Sequence, residues 1–241
     1  MDNKKISMSV FFPCYNDAGT IATMVVLAFK TLAEICEDNE VIVIDDGSND
    51  ASRDVLKELK LVYNGRLKVI LHEKNRGYGG ALRTGFANAS KEFIFYTDGD
   101  AQYDVRELKR LVSVMDDDVD IVNGFKIARR DPCLRILIGK LYNIIIKIMF
   151  NIKIKDVDCD FRLMRRKVFE KVRLEYDSGV ICVEMIKKLQ AAGFKFRETG
   201  VSHYFRAYGK SQFFNFKRIF KVGCNVLVLW WKLVIRKSGR N

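Results

Sequence analysis

The sequence predicts an α/β protein built on a mostly parallel, Rossmann-like sheet with helices on both faces. Three observations carry that expectation. Short apolar runs alternate with helical periods through the first half of the chain. Each apolar run ends in a cluster of Asp, Asn, Gly or His, where open parallel sheets bind their ligands. The chain has 241 residues and is 49% hydrophobic, enough for one such core, and its two prolines mark no linker to a second autonomous domain.

Residues 8–12, 40–44, 67–71 and 92–97 read as strands, being short and rich in Val, Ile, Phe and Leu. Residues 21–35, 51–61, 79–89 and 105–115 read as the intervening helices, with Asp50 and Asp104 at N-cap positions. The second half differs. Residues 134–151 are apolar apart from Lys140, Asn143, Lys147 and Asn151, which fall on one narrow stripe of a helix. Residues 213–236 repeat the design with Lys217, Lys221, Asn225, Lys232 and Arg236, and add Trp230 and Trp231. Neither segment offers the ~20 uninterrupted apolar residues of a simple membrane span. Both suit helices lying in a lipid interface with basic residues toward the headgroups. A core position, or a contact between copies of the chain in a homo-oligomer, is the other use of such a face.

The net charge is +12, and no acidic residue follows Glu198. A basic end of this kind serves anionic lipid, phosphorylated substrates or nucleic acid. Nucleic acid fits poorly, because paired acids at the strand ends would repel phosphate in the absence of metal. Six scattered cysteines without a Cys-x-x-Cys pair, and only two histidines, argue against zinc and for reduced thiols in a cytosolic compartment. The N-terminal residues lack the long apolar stretch of a signal peptide.

The chemistry is concentrated at four strand ends. Asp98-Gly99-Asp100 follows an apolar run, so two carboxylates project at the sheet edge, where a hard divalent cation supplies their counter-charge; Gln102 offers a third oxygen. Asp45-Asp46-Gly47-Ser48 closes another strand and offers acceptor-only groups to the N–H and O–H donors of a base or ribose. Asn75-Arg76-Gly77-Tyr78-Gly79-Gly80 precedes a helix, where glycines permit close backbone approach to an anion.

Together with Phe12-Pro13-Cys14-Tyr15-Asn16-Asp17, Asp156-Val157-Asp158-Cys159-Asp160-Phe161-Arg162 and Arg206-Ala207-Tyr208-Gly209-Lys210-Ser211, these motifs resemble family 2 glycosyltransferases. Their order and spacing are similar to the branch containing dolichyl-phosphate mannose synthases and polyprenyl-phosphate sugar transferases. The resemblance runs from about Val10 to Ser211 and implies a GT-A fold. It implies that Pro13, Tyr15, Asp17, Asp46 and Gly77 line a nucleotide pocket with Asp98. It further implies that Asp98, Asp100 and Gln102 hold Mg²⁺ or Mn²⁺, that Arg206 and Lys210 meet phosphates, and that Lys126 and Arg135 lie near an acceptor phosphate. The chain departs from the family pattern where Asp17 replaces Glu, Asp160 replaces Gly, and Lys126 stands where Arg is common. It also lacks the two transmembrane helices of some relatives.

The expected organisation is a catalytic domain over residues 1–212, with residues 134–154 as a helix facing acceptor and membrane, and a basic membrane-associating tail over residues 213–241. The expected activity is inverting transfer from a UDP- or GDP-sugar to a polyprenyl or dolichyl phosphate, on the inner, cytoplasmic face of an anionic membrane. Asp98, Asp100, Arg206 and Asp160 form the expected catalytic set. If the acceptor is instead a glycolipid or polysaccharide hydroxyl, a carboxylate must take its proton, and Asp160 and Glu184 are the candidates.

Overall fold

A computed structural model describes residues 6–129, 133–209 and 216–236. Seven strands form one sheet in the order β3-β2-β1-β4-β6-β5-β7. These are β1 (Ser7–Cys14), β2 (Asp38–Asp45), β3 (Leu67–Leu71), β4 (Phe93–Thr97), β5 (Ile121–Arg129), β6 (Phe161–Arg165) and β7 (Phe196–His203). The pairs β1/β2, β1/β4, β2/β3 and β5/β7 are parallel, whereas β6 runs antiparallel to both β4 and β5. The expectation of a mostly parallel sheet is borne out, with β6 as the reversed strand.

Period-two alternation explains why both faces are covered. Met8, Val10 and Phe12 of β1, with Val41 and Val43 of β2, point into one cluster. There they meet Ile21, Met24, Val25, Ala28 and Leu32 of helix α1 (Ile21–Ile35), and Leu56 of α2 (Ser52–Val62). Phe11, Ile42, Ile44, Ile94 and Tyr96 point the other way, onto α3 (Tyr78–Asn88) and α7 (Val180–Ala191). The expected helix over 105–115 is a 3₁₀ turn, Val105–Glu107, capped by the Asp104 side chain, running into α4 (Leu108–Ser113). A short helix, α6 (Val168–Lys171), follows β6.

Helices α5 (Cys133–Phe150) and α8 (Phe216–Trp230) cover a third cluster with α7. Ile146 and Phe150 of α5, Val183 and Ile186 of α7, and Val226 and Leu229 of α8 are buried together. The Trp230 indole donates to the Met149 carbonyl at 2.8 Å. The described part of the expected tail is therefore docked on the α/β body rather than standing apart. Opposite the docked faces, Leu137, Leu141 and Ile148 of α5 and Leu227 of α8 stay exposed, as does Trp231 (59%) just beyond α8. No helix among the described residues is long and apolar enough to cross a membrane.

The start of α3 is jammed against the segment before α7. Gly79 donates to the Asp177 carbonyl at 2.9 Å. A Cβ at Gly79 would lie 2.1 Å from the Tyr176 carbonyl oxygen and 2.9 Å from backbone carbons, contacts no flexible side chain can relieve. Gly77 has φ +83°, a region open to glycine at no steric cost. Gly79→Ala would gain helix propensity in a free helix, yet here it should cost about 1–3 kcal/mol. A thermal melt should show a lower Tm; a raised or unchanged Tm would contradict the packing described.

Candidate active site

The loops after β1, β2, β3 and β4 interlock at one edge of the sheet. Backbone amides of Asn16, Asp17 and Ala18 donate to Ser48 Oγ, Ser52 Oγ and Asp50 Oδ2. Gly99 donates to the Pro13 carbonyl at 3.1 Å, and the Thr20 hydroxyl returns to the Gly99 carbonyl at 2.8 Å. Asn16 and Ala101 sit in the left-handed region, at φ 57° and 58°. Two non-glycine residues in that region, on the two loops that carry the acids, are local strain held by the surrounding bonds.

Four carboxylates, those of Asp17, Asp98, Asp100 and Asp160, converge there. Asp98 accepts from the Tyr78 hydroxyl at 2.8 Å through Oδ1. Burial, then the charges of Asp160 and Asp100, push the Asp98 carboxyl well above the usual carboxylate range. Asp100 is also raised by burial, although Arg206 opposes the shift. Arg206 pairs directly with Asp100 and lies 3.5 Å from Asp17. Its Nε is buried without a hydrogen-bond partner. Asp17 is raised to about 6, chiefly by burial, with the Tyr15 amide and Arg206 lowering it and Asp100 raising it.

Arg162 supports this group from beneath the cleft. It is fully buried in β6, opposite Tyr96 of β4. Its guanidinium donates to Asn123 Oδ1 at 2.6 Å, to the Tyr96 hydroxyl, to the Val157 carbonyl and, at 3.3 Å, to Asp160 Oδ1. A buried charge is tolerable when its donors are satisfied in this way. Asp160 Oδ1 also takes the Cys182 thiol at 3.2 Å and the Tyr96 hydroxyl at 3.4 Å. The supporting roles of Tyr78, Tyr96, Asn123 and Arg162 were not singled out from sequence. The reversed β6 brings Tyr96, Asn123 and Arg162 together, while Tyr78 comes from the start of α3; only Tyr78 and Arg162 stand inside motifs visible in the sequence.

The other expected residues divide. Pro13, Tyr15, Asp17, Asp98, Asp100 and Arg206 gather at the strand ends. Gln102 is buried beside them, and its amide nitrogen donates to the Tyr204 carbonyl, bracing the segment that carries Arg206. Asp46 differs from the open acceptor expected. Its oxygens take the Arg76 and Gly77 amides at 2.8 and 2.9 Å and face His72 Nδ1 at 2.6 Å, so it organises the glycine loop. Lys126 also differs from expectation. Its side chain is 7% exposed and donates to the Asp158 carbonyl at 2.7 Å and to Asp156 at 3.3 Å, so it is held against that segment rather than standing open toward a ligand. Burial disfavours its charge, but the acids around it prevail and raise its pKa. Glu184 is fully buried, gripping the Glu175 and Tyr176 amides and Lys188, which removes it as a general base. Arg135 belongs to α5 but its side chain lies outside the described residues, as does Lys210 entirely.

Among the described residues no three His, Cys, Asp or Glu side chains enclose a metal by themselves. The donor set still fits a hard divalent cation. Mg²⁺ is commonly held by one or two carboxylates completed by substrate phosphates, rather than by an all-protein cage. Asp98 and Asp100 supply such a pair, and burial, with neighbouring acids adding to it, raises both carboxyls.

A sheet of parallel strands with one reversed member, and an acidic cleft beyond its carboxyl ends, defines an α/β protein of the GT-A fold. The chain belongs to glycosyl transferase family 2, whose model matches residues 9–173. It is 28% identical over 241 residues to glycosyltransferase AglD of Haloferax volcanii, covering 96% of this chain and 38% of that protein. It is 27% identical over 218 residues to undecaprenyl-phosphate 4-deoxy-4-formamido-L-arabinose transferase of Aeromonas hydrophila, covering 88% of this chain and 65% of that one. The chain thus spans less than two thirds of the length of these relatives. Glucosyl-3-phosphoglycerate synthase of Mycobacterium tuberculosis, solved with Mn²⁺, UDP and phosphoglyceric acid, superposes with TM-score 0.69 at 15% identity, over 94% of this chain and 78% of that one. A complex of the same enzyme with Mg²⁺ and UDP superposes with TM-score 0.66. At that identity the likeness speaks for the fold.

Asp17 predicts a pH signature. A carboxyl near 3.8 when unfolded and about 6 when folded binds its proton more tightly in the native state. Its contribution is therefore fully present below pH ~4 and is lost as pH rises through ~6, a change of about 3 kcal/mol at most. Asp17→Asn removes that titration. Relative to the parent chain, the variant should gain stability between pH 4 and pH 7.5 in denaturant melts. A stability difference that stays flat across that range would contradict the buried placement of Asp17.

Proposed function

We propose that this chain is an inverting, metal-dependent glycosyltransferase that moves a sugar from a UDP- or GDP-linked donor to a polyprenyl phosphate. The observation that carries the reading is the Asp98–Asp100 pair at the end of β4, crowded by Asp160 and faced by Arg206. Family membership supports sugar transfer, and the name of the Aeromonas relative supports a lipid-phosphate acceptor. The Mn²⁺, Mg²⁺ and UDP of the structural relatives support the donor and the cofactor.

In this reading Pro13, Tyr15 and Asp17 border the nucleotide, and Asp46 shapes its rim by holding the loop that carries Gly77. Asp98 and Asp100 hold Mg²⁺ or Mn²⁺, which when bound offsets charge growing on the departing nucleoside diphosphate. Arg206, with its unpartnered Nε, turns its guanidinium from Asp100 toward the diphosphate. Tyr78 keeps its proton, since burial and then Asp160 and Asp98 push its pKa well up, and its hydroxyl orients Asp98. A phosphate acceptor is already anionic at neutral pH and needs no strong base. The catalytic body and the docked residues 216–236 act as one unit against an anionic inner membrane surface, with the exposed apolar residues of α5 and α8 toward lipid.

Asp160 favours the second reading, a hydroxyl acceptor. Its Oδ1 is held by Tyr96, Arg162 and Cys182, a fixed geometry suited to a general base. The two readings separate in one assay, in which UDP- and GDP-sugars are incubated with polyprenyl phosphate and Mn²⁺ and the lipid is extracted. Asp98→Ala and Asp100→Ala should each lower turnover by roughly 10²–10³-fold. Asp160→Asn should retain turnover within about tenfold for a phosphate acceptor, and lose roughly 10²-fold or more for a hydroxyl. No glycolipid with any donor would overturn the lipid-phosphate reading.

A further inference from the structure

One cavity among the described residues lies away from the strand ends. About 350 Å³ opens between α7 and the end of α8, and it shares no lining residue with the acidic cleft. Lys188 of α7 lines one side; Leu229, Lys232, Leu233 and Arg236 line the other. Tyr176 closes the end, and its hydroxyl oxygen is buried without a hydrogen-bond partner. Burial, then Glu184 and Glu175, push the Tyr176 phenol up, so it stays a proton donor.

The charges in this cavity do not balance. Glu184 and Glu175 both pair with Lys188, and Glu184 is further spent on two backbone amides. Lys232 and Arg236 form no ion pair among the described residues; the Lys232 ammonium lies 5.9 Å from the Tyr176 ring centroid. Lys232 and Leu233 stand on a π-helical turn, Trp231–Ile235, an uncommon conformation often found where a helix builds a site. Two unpaired cations, an unsatisfied donor and an apolar wall of Leu229 and Leu233 form a recess complementary to an anion with an apolar neighbour.

We propose that this cavity binds a phosphate group, at a site separate from that of the nucleotide. The phosphate has two sources, a lipid headgroup or a free phosphate, and both present the same oxygens to Lys232, Arg236 and Tyr176. The site does not depend on the proposed sugar transfer, because its test needs neither donor nor turnover.

The test uses the full chain at about 0.15 M salt, where weak surface attraction is screened. Inorganic phosphate is titrated by calorimetry, and sedimentation is measured with phosphatidylcholine vesicles with and without phosphatidic acid. The doubly substituted Lys232→Ala, Arg236→Ala chain should bind roughly tenfold or more weakly, and Tyr176→Phe several-fold more weakly. Arg206→Ala, which alters only the strand-end cleft, should bind as the parent does. Binding to phosphatidic acid vesicles alone would identify a headgroup site, and binding to inorganic phosphate alone a soluble-ligand site; either supports the proposal. It is overturned if neither probe binds, if the double variant binds as well as the parent, or if Arg206→Ala abolishes binding.

Discussion

The structure is organised around an electrostatic conflict: Asp98, Asp100 and Asp160 are held together at the end of a sheet, with Asp17 alongside. Like charges in a low-dielectric corner repel strongly and cost solvation. Protein cations answer part of the conflict, Arg162 from within the sheet and Arg206 from the segment after β7. In the proposed function a small hard cation, bound together with an anionic ligand, would answer the rest. The strained loops at Asn16 and Ala101, and the tight start of α3, exist to hold that corner in shape.

The reversed strand is the topological device that makes this possible. Pairing β6 antiparallel to β4 sets Arg162 opposite Tyr96 and brings the amino end of β6, with Asp160 just before it, to the carboxyl end of β4 beside Asp98. A parallel strand there would present its carboxyl end instead. The same strand pairs with β5, whose Asn123 accepts from Arg162. One buried guanidinium thereby links three strands to the acidic group above them.

The first four strands, their helices and the acidic loops were legible because burial on both faces leaves plain apolar runs, and the turn residues at their ends are few in kind. The strands β5, β6 and β7 were not read. Charged and polar residues interrupt their apolar pattern, and two of them, Arg162 and Asn123, are buried because they satisfy one another across strands. Partner choice escaped for the same reason. Nothing local tells that Asp46 turns onto the glycine loop after β3 or that Lys126 is buried against Asp158. The amphipathic stripe of the last helix was visible, but its docking on α5 and α7 depends on Val226 and Leu229 finding distant partners.

The central claim is that the carboxylates at the end of β4 are a cation site completed by a nucleoside diphosphate. Its most direct test is an anomalous diffraction map from crystals soaked with Mn²⁺ and UDP or GDP. The account predicts one strong manganese peak against Asp98 and Asp100, with Arg206 withdrawn from Asp100. A nucleotide bound in the cleft with no manganese beside those two side chains would contradict it.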